Sequence, residues 1–97
     1  MRTRPRSTIP AICLLVATIM IVHASAASAA AQACAARDLA VMTLIEERGE
    51  AQSLPAHEIA DAFFSTMEAR RACKDGRSEE ALAIYARVTA RLNGAAR

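Results

Sequence analysis

The chain has 97 residues, with twelve basic and ten acidic side chains and a formal net charge of +2 at pH 7. This length allows one small domain, whose thin core usually needs a disulfide, a metal or a partner for stability. Three of the basic residues, Arg2, Arg4 and Arg6, precede a long uncharged stretch, and without them the remaining chain carries a charge near −1. That balance provides no basic surface for nucleic acid, so we expect no nucleic-acid partner.

The first 29 residues have the three parts of a bacterial signal peptide. A basic segment that ends at Arg6 is followed by the apolar stretch 9–22 and then by a run of alanine and serine. Small side chains two residues apart are what signal peptidase requires at its cleavage site. We predict cleavage after Ala29, within the range 26–31, and a mature chain 30–97 that is periplasmic or secreted. Membrane contact is then made only through the signal peptide of the precursor.

Two alternatives for this segment stay open. Residues 9–31 are long enough for an inner-membrane anchor, since no charge lies between Arg6 and Arg37. The second half of this stretch is rich in alanine and serine, which makes it less apolar than most membrane spans. The other alternative is a lipoprotein acylated at Cys34, although Ala31 stands where such proteins have a large aliphatic residue.

Two cysteines remain after the leader, which contains Cys13, has been removed. Cys34 and Cys73 form an even pair in an oxidising compartment, where a disulfide is expected. Both lie about twenty residues from a turn near residue 53, so two antiparallel helices joined there would bring the sulfur atoms to the same end. Neither cysteine belongs to a Cys-x-x-Cys motif or has a histidine nearby, which makes a redox or metal role the weaker alternative.

The sequence predicts an all-α fold, a three-helix unit that follows the signal peptide. We expect helices over about 33–49, 55–74 and 78–92, with the first two forming a hairpin. Ser53 is a candidate N-cap of the second helix, and Gly76 and Ser78 indicate a stop and a restart before the third. Apolar residues at helical spacing predict the buried faces of the three helices: Cys34, Val41, Met42 and Ile45; Ile59, Phe63 and Met67; Ala81, Ile84, Tyr85, Val88 and Leu92.

Phe63 and Phe64 are adjacent, so their side chains point about 100° apart on a helix. One two-helix interface cannot bury both rings. We expect the third helix to cover Phe64. The alternative is an exposed apolar patch for self-association or for binding another protein.

The mature chain contains few groups that could carry chemistry. It keeps one histidine, His57, which lies near Glu58 and Asp61 at the start of the second helix. An imidazole and carboxylates on neighbouring turns are acceptable ligands for a cation, but acids are also common at solvated helix N-termini. His57, Glu58 and Asp61 are therefore weak metal candidates. No catalytic or cofactor motif is present, so we expect a protein that is not an enzyme and uses no cofactor.

The stretch 60–92 resembles part of a single tetratricopeptide-like helical hairpin. Gly76, the segment Glu79-Glu80-Ala81 and Tyr85 match that family at the turn and in its second helix, whereas Ser65 and Ala69 depart from it in the first. One such unit cannot form a solenoid, which needs about three repeats, so the family's peptide-binding groove is not implied. The mature segment is also similar to small, uncharacterised exported helical proteins of alphaproteobacteria, which implies no activity.

The function that these features favour is a protein-interaction or structural role for a small exported helical protein. The first alternative is a stress-related or chaperone-like periplasmic helper that exposes apolar surface conditionally. The second is a small metal-binding protein that uses His57.

The signal peptide can be tested by the mass of the exported chain. We expect intact mass spectrometry of the periplasmic or secreted protein to show an N-terminus at Ala30, within three residues, because the peptidase needs small side chains before the cut. A membrane-bound chain that retains its first residues would contradict cleavage.

Overall fold

A computed structural model of the chain describes the backbone of residues 9–95 and the side chains of residues 26–95. In this part the chain forms three α-helices, α1 (Ile9–Glu50), α2 (Ala56–Lys74) and α3 (Ser78–Ala95). The all-α, three-helix prediction is thereby confirmed. The predicted signal peptide and the alternative anchor lie largely outside the described side chains, and both stay predictions.

The first helix is longer than the sequence indicated. We expected it to begin near residue 33, but α1 is continuous from Ile9 and has 42 residues, against 19 in α2 and 18 in α3. Alanine, the strongest helix former, is frequent before residue 33, and no proline or glycine follows Pro10 until Gly49. The N-terminal part of α1 therefore extends beyond the three-helix bundle.

The turn between α1 and α2 closes on the end of α1. Gln52 adopts a left-handed conformation with φ 48°, and the backbone N–H of Ser53 donates to the carbonyl of Arg48 at 3.2 Å. The Ser53 hydroxyl donates to the same carbonyl at 3.3 Å. The prediction of Ser53 as the N-cap of the second helix is wrong, because α2 starts after Pro55 and Ser53 lies two residues earlier, within reach of α1.

The turn between α2 and α3 was predicted correctly. Gly76 has a φ of 83°, which a side chain would disfavour. The backbone N–H of Arg77 reaches the carbonyl of Ala72 at 2.8 Å, and that of Gly76 reaches the carbonyl of Cys73 at 3.1 Å. These two bonds form a Schellman motif, which satisfies the last carbonyls of α2 and reverses the chain within three residues. α3 consequently packs antiparallel to α2.

Two of the three predicted buried faces are confirmed. On α1 the side chains of Cys34, Val41 and Ile45 are buried, and Met42 packs against them. On α3 every residue of the predicted stripe is buried: Ala81, Ile84, Tyr85, Val88 and Leu92. Large aliphatic side chains at a spacing of three and four make these faces visible in the sequence.

The buried face of α2 differs from the prediction. Small side chains form it, namely Ala62, Thr66, Ala69 and Ala72, and the Thr66 hydroxyl is satisfied by the carbonyl of Ala62 at 2.8 Å. Of the predicted residues, Ile59 is partly buried against the core, whereas Phe63 and Met67 remain 41% and 46% exposed. The expectation that the third helix covers Phe64 is also wrong, because this ring is 66% exposed. Small residues let α2 approach two helices closely, so its bulky side chains turn outward.

The disulfide predicted between Cys34 and Cys73 is present, with the two Cα atoms 6.5 Å apart and 39 positions separating the residues. It joins α1 to the last turn of α2. The register of these two helices follows directly from it, because Cys34 lies level with Cys73 and the chains run in opposite directions.

Reduction of this disulfide should lower the free energy of unfolding by about 3–4 kcal/mol, because a cross-link over a loop of this length restricts the unfolded chain by that amount. Denaturant titrations of the exported protein with and without reductant, followed by circular dichroism, measure the difference. A Cys34→Ala/Cys73→Ala variant, which lacks the bridge, should be unaffected by reductant. Equal midpoints for the oxidised and reduced wild-type protein would contradict the structural role.

Candidate functional site

The carboxylate of Asp38 joins all three helices. Arg70 of α2 donates from Nε to Asp38 Oδ1 at 2.7 Å and from Nη2 to Asp38 Oδ2 at 2.9 Å. Tyr85 of α3 donates its hydroxyl to Asp38 Oδ1 at 2.9 Å. The Tyr85 side chain is fully buried, and the guanidinium and carboxylate form a two-pronged ion pair, which is among the strongest polar contacts in proteins.

These contacts change how two of the groups titrate. The hydrogen bonds from Arg70 hold the pKa of Asp38 below its ordinary value, despite partial burial. Burial of the phenol, together with its hydrogen bond to the Asp38 carboxylate, raises the pKa of Tyr85 to about 12. The contribution of Asp38 to stability is therefore present at neutral pH and lost as the pH falls through its lowered pKa. The contribution of Tyr85 is present below pH 10 and is lost as the pH rises towards 12.

Sequence reasoning missed this network. Asp38 lies four residues after Cys34 and four before Met42, so helical spacing places an acid within an apolar line. A carboxylate on an apolar helix face needs a polar partner, so the position of Asp38 was the sequence feature that could have indicated the network. The identity of the partners was not visible, because Arg70 and Tyr85 are 32 and 47 residues away.

A second polar cluster lies at the open end of the α2–α3 hairpin, away from the turn at Gly76. Arg91 of α3 donates to Glu58 at 2.9 Å and lies 3.3 Å from Asp61, and His57 Nε2 is 3.7 Å from Glu58. Glu58 and Asp61 thus share a guanidinium as their counter-ion. Within the described part of the chain, no three His, Cys, Asp or Glu side chains are grouped to hold a metal. The structure thus gives the metal prediction at His57, Glu58 and Asp61 no supporting geometry.

Large apolar side chains are exposed along the side of the bundle where α1 and α2 meet. We define the α1–α2 surface by Leu39 and Met42 of α1 and by Phe63, Phe64 and Met67 of α2. Leu39 is 69% exposed, and the other three side chains with high exposure are on α2. The two phenylalanine rings meet edge to face with their centroids 6.2 Å apart. Exposed apolar residues that are neighbours in space are typical of binding surfaces.

Arg70 connects the two halves of this surface. Two open grooves meet at its side chain. One, of about 520 Å³, is lined on α1 by Leu39 and Met42 and runs beside the disulfide. The other is lined by Phe64, Met67 and three basic residues, Arg70, Arg71 and Lys74, with Glu68 and Asp75 also bordering it. Arg70 Nη1 also lies 3.5 Å from the sulfur of Met67. The ion pair with Asp38 therefore fixes the Arg70 guanidinium between the two grooves.

Comparison of the chain with protein-family models, curated proteins and solved structures finds no match. The predicted resemblances to a tetratricopeptide hairpin and to exported alphaproteobacterial proteins thus stay predictions. No helix among the described residues is long and apolar enough to cross a membrane.

Replacement of Asp38 by asparagine should lower the free energy of unfolding by about 1–3 kcal/mol at pH 7, because hydrogen bonds to a charged group become neutral ones. The difference from wild type should shrink as the pH falls from 7 to 2, since the wild-type carboxylate then gains its proton. Denaturant titrations at several pH values measure both effects. Asp75→Asn, at an exposed acid 3.4 Å from Arg77, is the matched control and should change stability by less than about 0.5 kcal/mol. A difference for Asp38→Asn that is constant with pH would contradict this account.

Proposed function

We propose that the protein is a small exported helical protein that acts by binding protein through the α1–α2 surface. The observation that carries this proposal is the exposure of Leu39, Phe63, Phe64 and Met67 on neighbouring turns of α1 and α2. Full burial of one such side chain stabilises by about 1.5–3 kcal/mol. Because each is roughly half exposed, its burial by a partner supplies on the order of 1 kcal/mol.

The structure of the surface supports binding by a preformed face. The disulfide and the Asp38–Arg70 ion pair, one helical turn apart, fix α1 against α2 beside this surface, so little order has to be gained when a partner docks. A rigid surface lowers the entropic cost of association. The chaperone-like alternative, with conditional exposure of apolar surface, receives no separate support, because these side chains are already exposed in the folded protein.

The disulfide supports the exported location that the leader predicts. Such bonds form and persist in the periplasm or outside the cell and are rare in the cytosol. Cys34 and Cys73 are joined with the helices packed around them, and Cys34 is buried. We infer a structural role for the bridge in an oxidising compartment, where the mature chain meets its partner.

Site-specific photo-crosslinking tests the proposed function. A photoreactive benzophenone side chain is placed at position 64 of the full precursor, which is expressed in a bacterium that exports it. We expect ultraviolet light to join the protein covalently to a protein partner, since this side chain protrudes from the α1–α2 surface. The control carries the same group at Arg87, an exposed position on α3.

The proposal predicts adducts at position 64 that are absent or much weaker at position 87. Phe64→Ser should keep wild-type stability within about 0.5 kcal/mol, because most of the ring is exposed. The same substitution should weaken crosslinking from a benzophenone at position 67. Equal adducts at positions 64 and 87, or none at either, would sink the proposal.

A further inference from the structure

The α1–α2 surface continues into charged residues of opposite sign at its two ends. Along α1, Glu46 and Glu50 follow Leu39 and Met42 at helical spacing, seven and eleven residues after Leu39. Along α2, Arg71 and Lys74 follow Phe63, Phe64 and Met67 in the same way. All four of these charged residues are exposed: Glu46, Glu50, Arg71 and Lys74.

The antiparallel packing of α1 and α2 separates these charges. Cys34 is bonded to Cys73, and Asp38 to Arg70, so each step towards the C-terminus of α1 is a step towards the N-terminus of α2. By this register Glu46 and Glu50 lie level with residues near 62 and 58. A groove lined by Gly49, Ala56 and Ile59 places the end of α1 beside the start of α2 directly.

The surface therefore changes from basic, through apolar, to acidic along one direction. Arg71 and Lys74 mark its basic end, next to the disulfide. Glu68 and Asp75 also border the groove that Arg71 and Lys74 line. Asp75 is already paired with Arg77, so the net charge at this end remains positive. Halfway between the acidic and basic ends lies the level of residue 66, where the apolar side chains Met42, Phe63 and Met67 are found.

We infer that the partner for this surface is a second copy of the chain, packed antiparallel about a two-fold axis near Met67. Rotation by 180° about that axis packs the apolar centre of one copy against the apolar centre of the other. It also brings the basic end of each copy, with Arg71 and Lys74 on α2, level with the acidic end of the other copy, with Glu46 and Glu50 on α1. A two-fold interface has to be self-complementary in this way, with each residue contact made twice. A parallel arrangement would instead place like charges together.

The area of the surface determines the affinity that we expect for the dimer. At 1.5 Å per residue α2 is about 28 Å long, and two adjacent helices are about 20 Å wide. The strip offers roughly 500–600 Å² per copy, less than the ~800 Å² of a standard stable interface. We therefore expect a dimer that dissociates at micromolar concentrations and responds to salt, since its end contacts are exposed ion pairs. This inference rests on the proposed function and names its partner.

A charge-swap experiment tests the arrangement with the exported protein, its disulfide intact. One variant, Arg71→Glu/Lys74→Glu, makes both ends of the surface acidic. The other, Glu46→Arg/Glu50→Arg, makes both ends basic. Each should be a monomer in sedimentation equilibrium from about 1 µM to 1 mM, because like charges meet at both contacts. An equimolar mixture should recover a dimer with an affinity within about tenfold of wild type, because both contacts are again complementary.

Four controls keep the test decisive. Circular dichroism reports whether each variant is folded. If a variant is unfolded, the salt dependence of wild-type dimerisation tests the charged end contacts instead. The affinity of the wild-type dimer should fall at least several-fold between 50 mM and 500 mM salt, because salt screens the charges at its ends. Phe64→Ser should weaken the dimer without changing its response to the charge swap. Glu79→Arg/Arg87→Glu, an exchange on α3, should leave dimerisation unchanged.

The results separate this inference from the proposed function. A wild-type protein that is monomeric at 1 mM, or a mixture of folded variants that stays monomeric, would overturn the second-copy inference. If crosslinks at position 64 then contain a different protein, the proposed function stands with another partner. If no crosslink forms at position 64 either, both proposals fail.

Discussion

A single carboxylate, that of Asp38, holds contacts to all three helices, and the arrangement of the bundle depends on it. Its two oxygens accept hydrogen bonds from Arg70 and Tyr85, and Cys34 lies one helical turn away with its bond to Cys73. The disulfide and the ion pair together fix the height of α1 against α2. The phenol then fixes α3 against both. Removal of one member would leave a partly buried polar group without its partner, which costs more than the bond itself contributes.

The small side chains on α2 explain why large apolar side chains are exposed on this helix. Ala69 and Ala72 are almost completely buried, and a helix that contacts two neighbours through alanine can approach both closely. The bulky residues of α2 cannot enter these narrow contacts. Phe63, Phe64 and Met67 consequently lie at the outer edge. The same packing that gives the small domain its close core therefore leaves three large apolar side chains in solvent.

Much of the fold was accessible from the sequence, for physical reasons that differ between elements. On α1 and α3, large aliphatic residues at helical spacing stand out against alanine and charged residues, so their buried faces were identified correctly. The pairing of Cys34 with Cys73 followed from their equal distance from the turn. The face of α2 was assigned wrongly because buried alanine and threonine give little contrast in hydropathy. A pattern search then selects Phe63 and Met67, which are larger and more apolar.

The candidate surface was foreseen only in part, as the alternative of an exposed apolar patch at Phe63 and Phe64, because Phe63 and Met67 had been assigned to the core. The position of Asp38 in an apolar line was the one local sign of a polar network. Its partners depend on how α2 and α3 pack, which the sequence pattern does not encode. The charge gradient along the α1–α2 surface also requires the register set by the disulfide. Side chains such as Glu46 and Arg71 belong to one surface only once that register is known.

The disulfide and self-association would stabilise this domain through different states. A cross-link mainly restricts the unfolded chain, whereas association acts only on the folded one and grows with concentration. A domain with a thin core gains from both, and neither replaces the other. The loss of stability on reduction is therefore expected at every protein concentration, while the midpoint of unfolding rises with concentration only if α1–α2 surfaces meet. The position of the disulfide is compatible with both effects, because it lies at the basic end of the surface and leaves the apolar centre free to be covered.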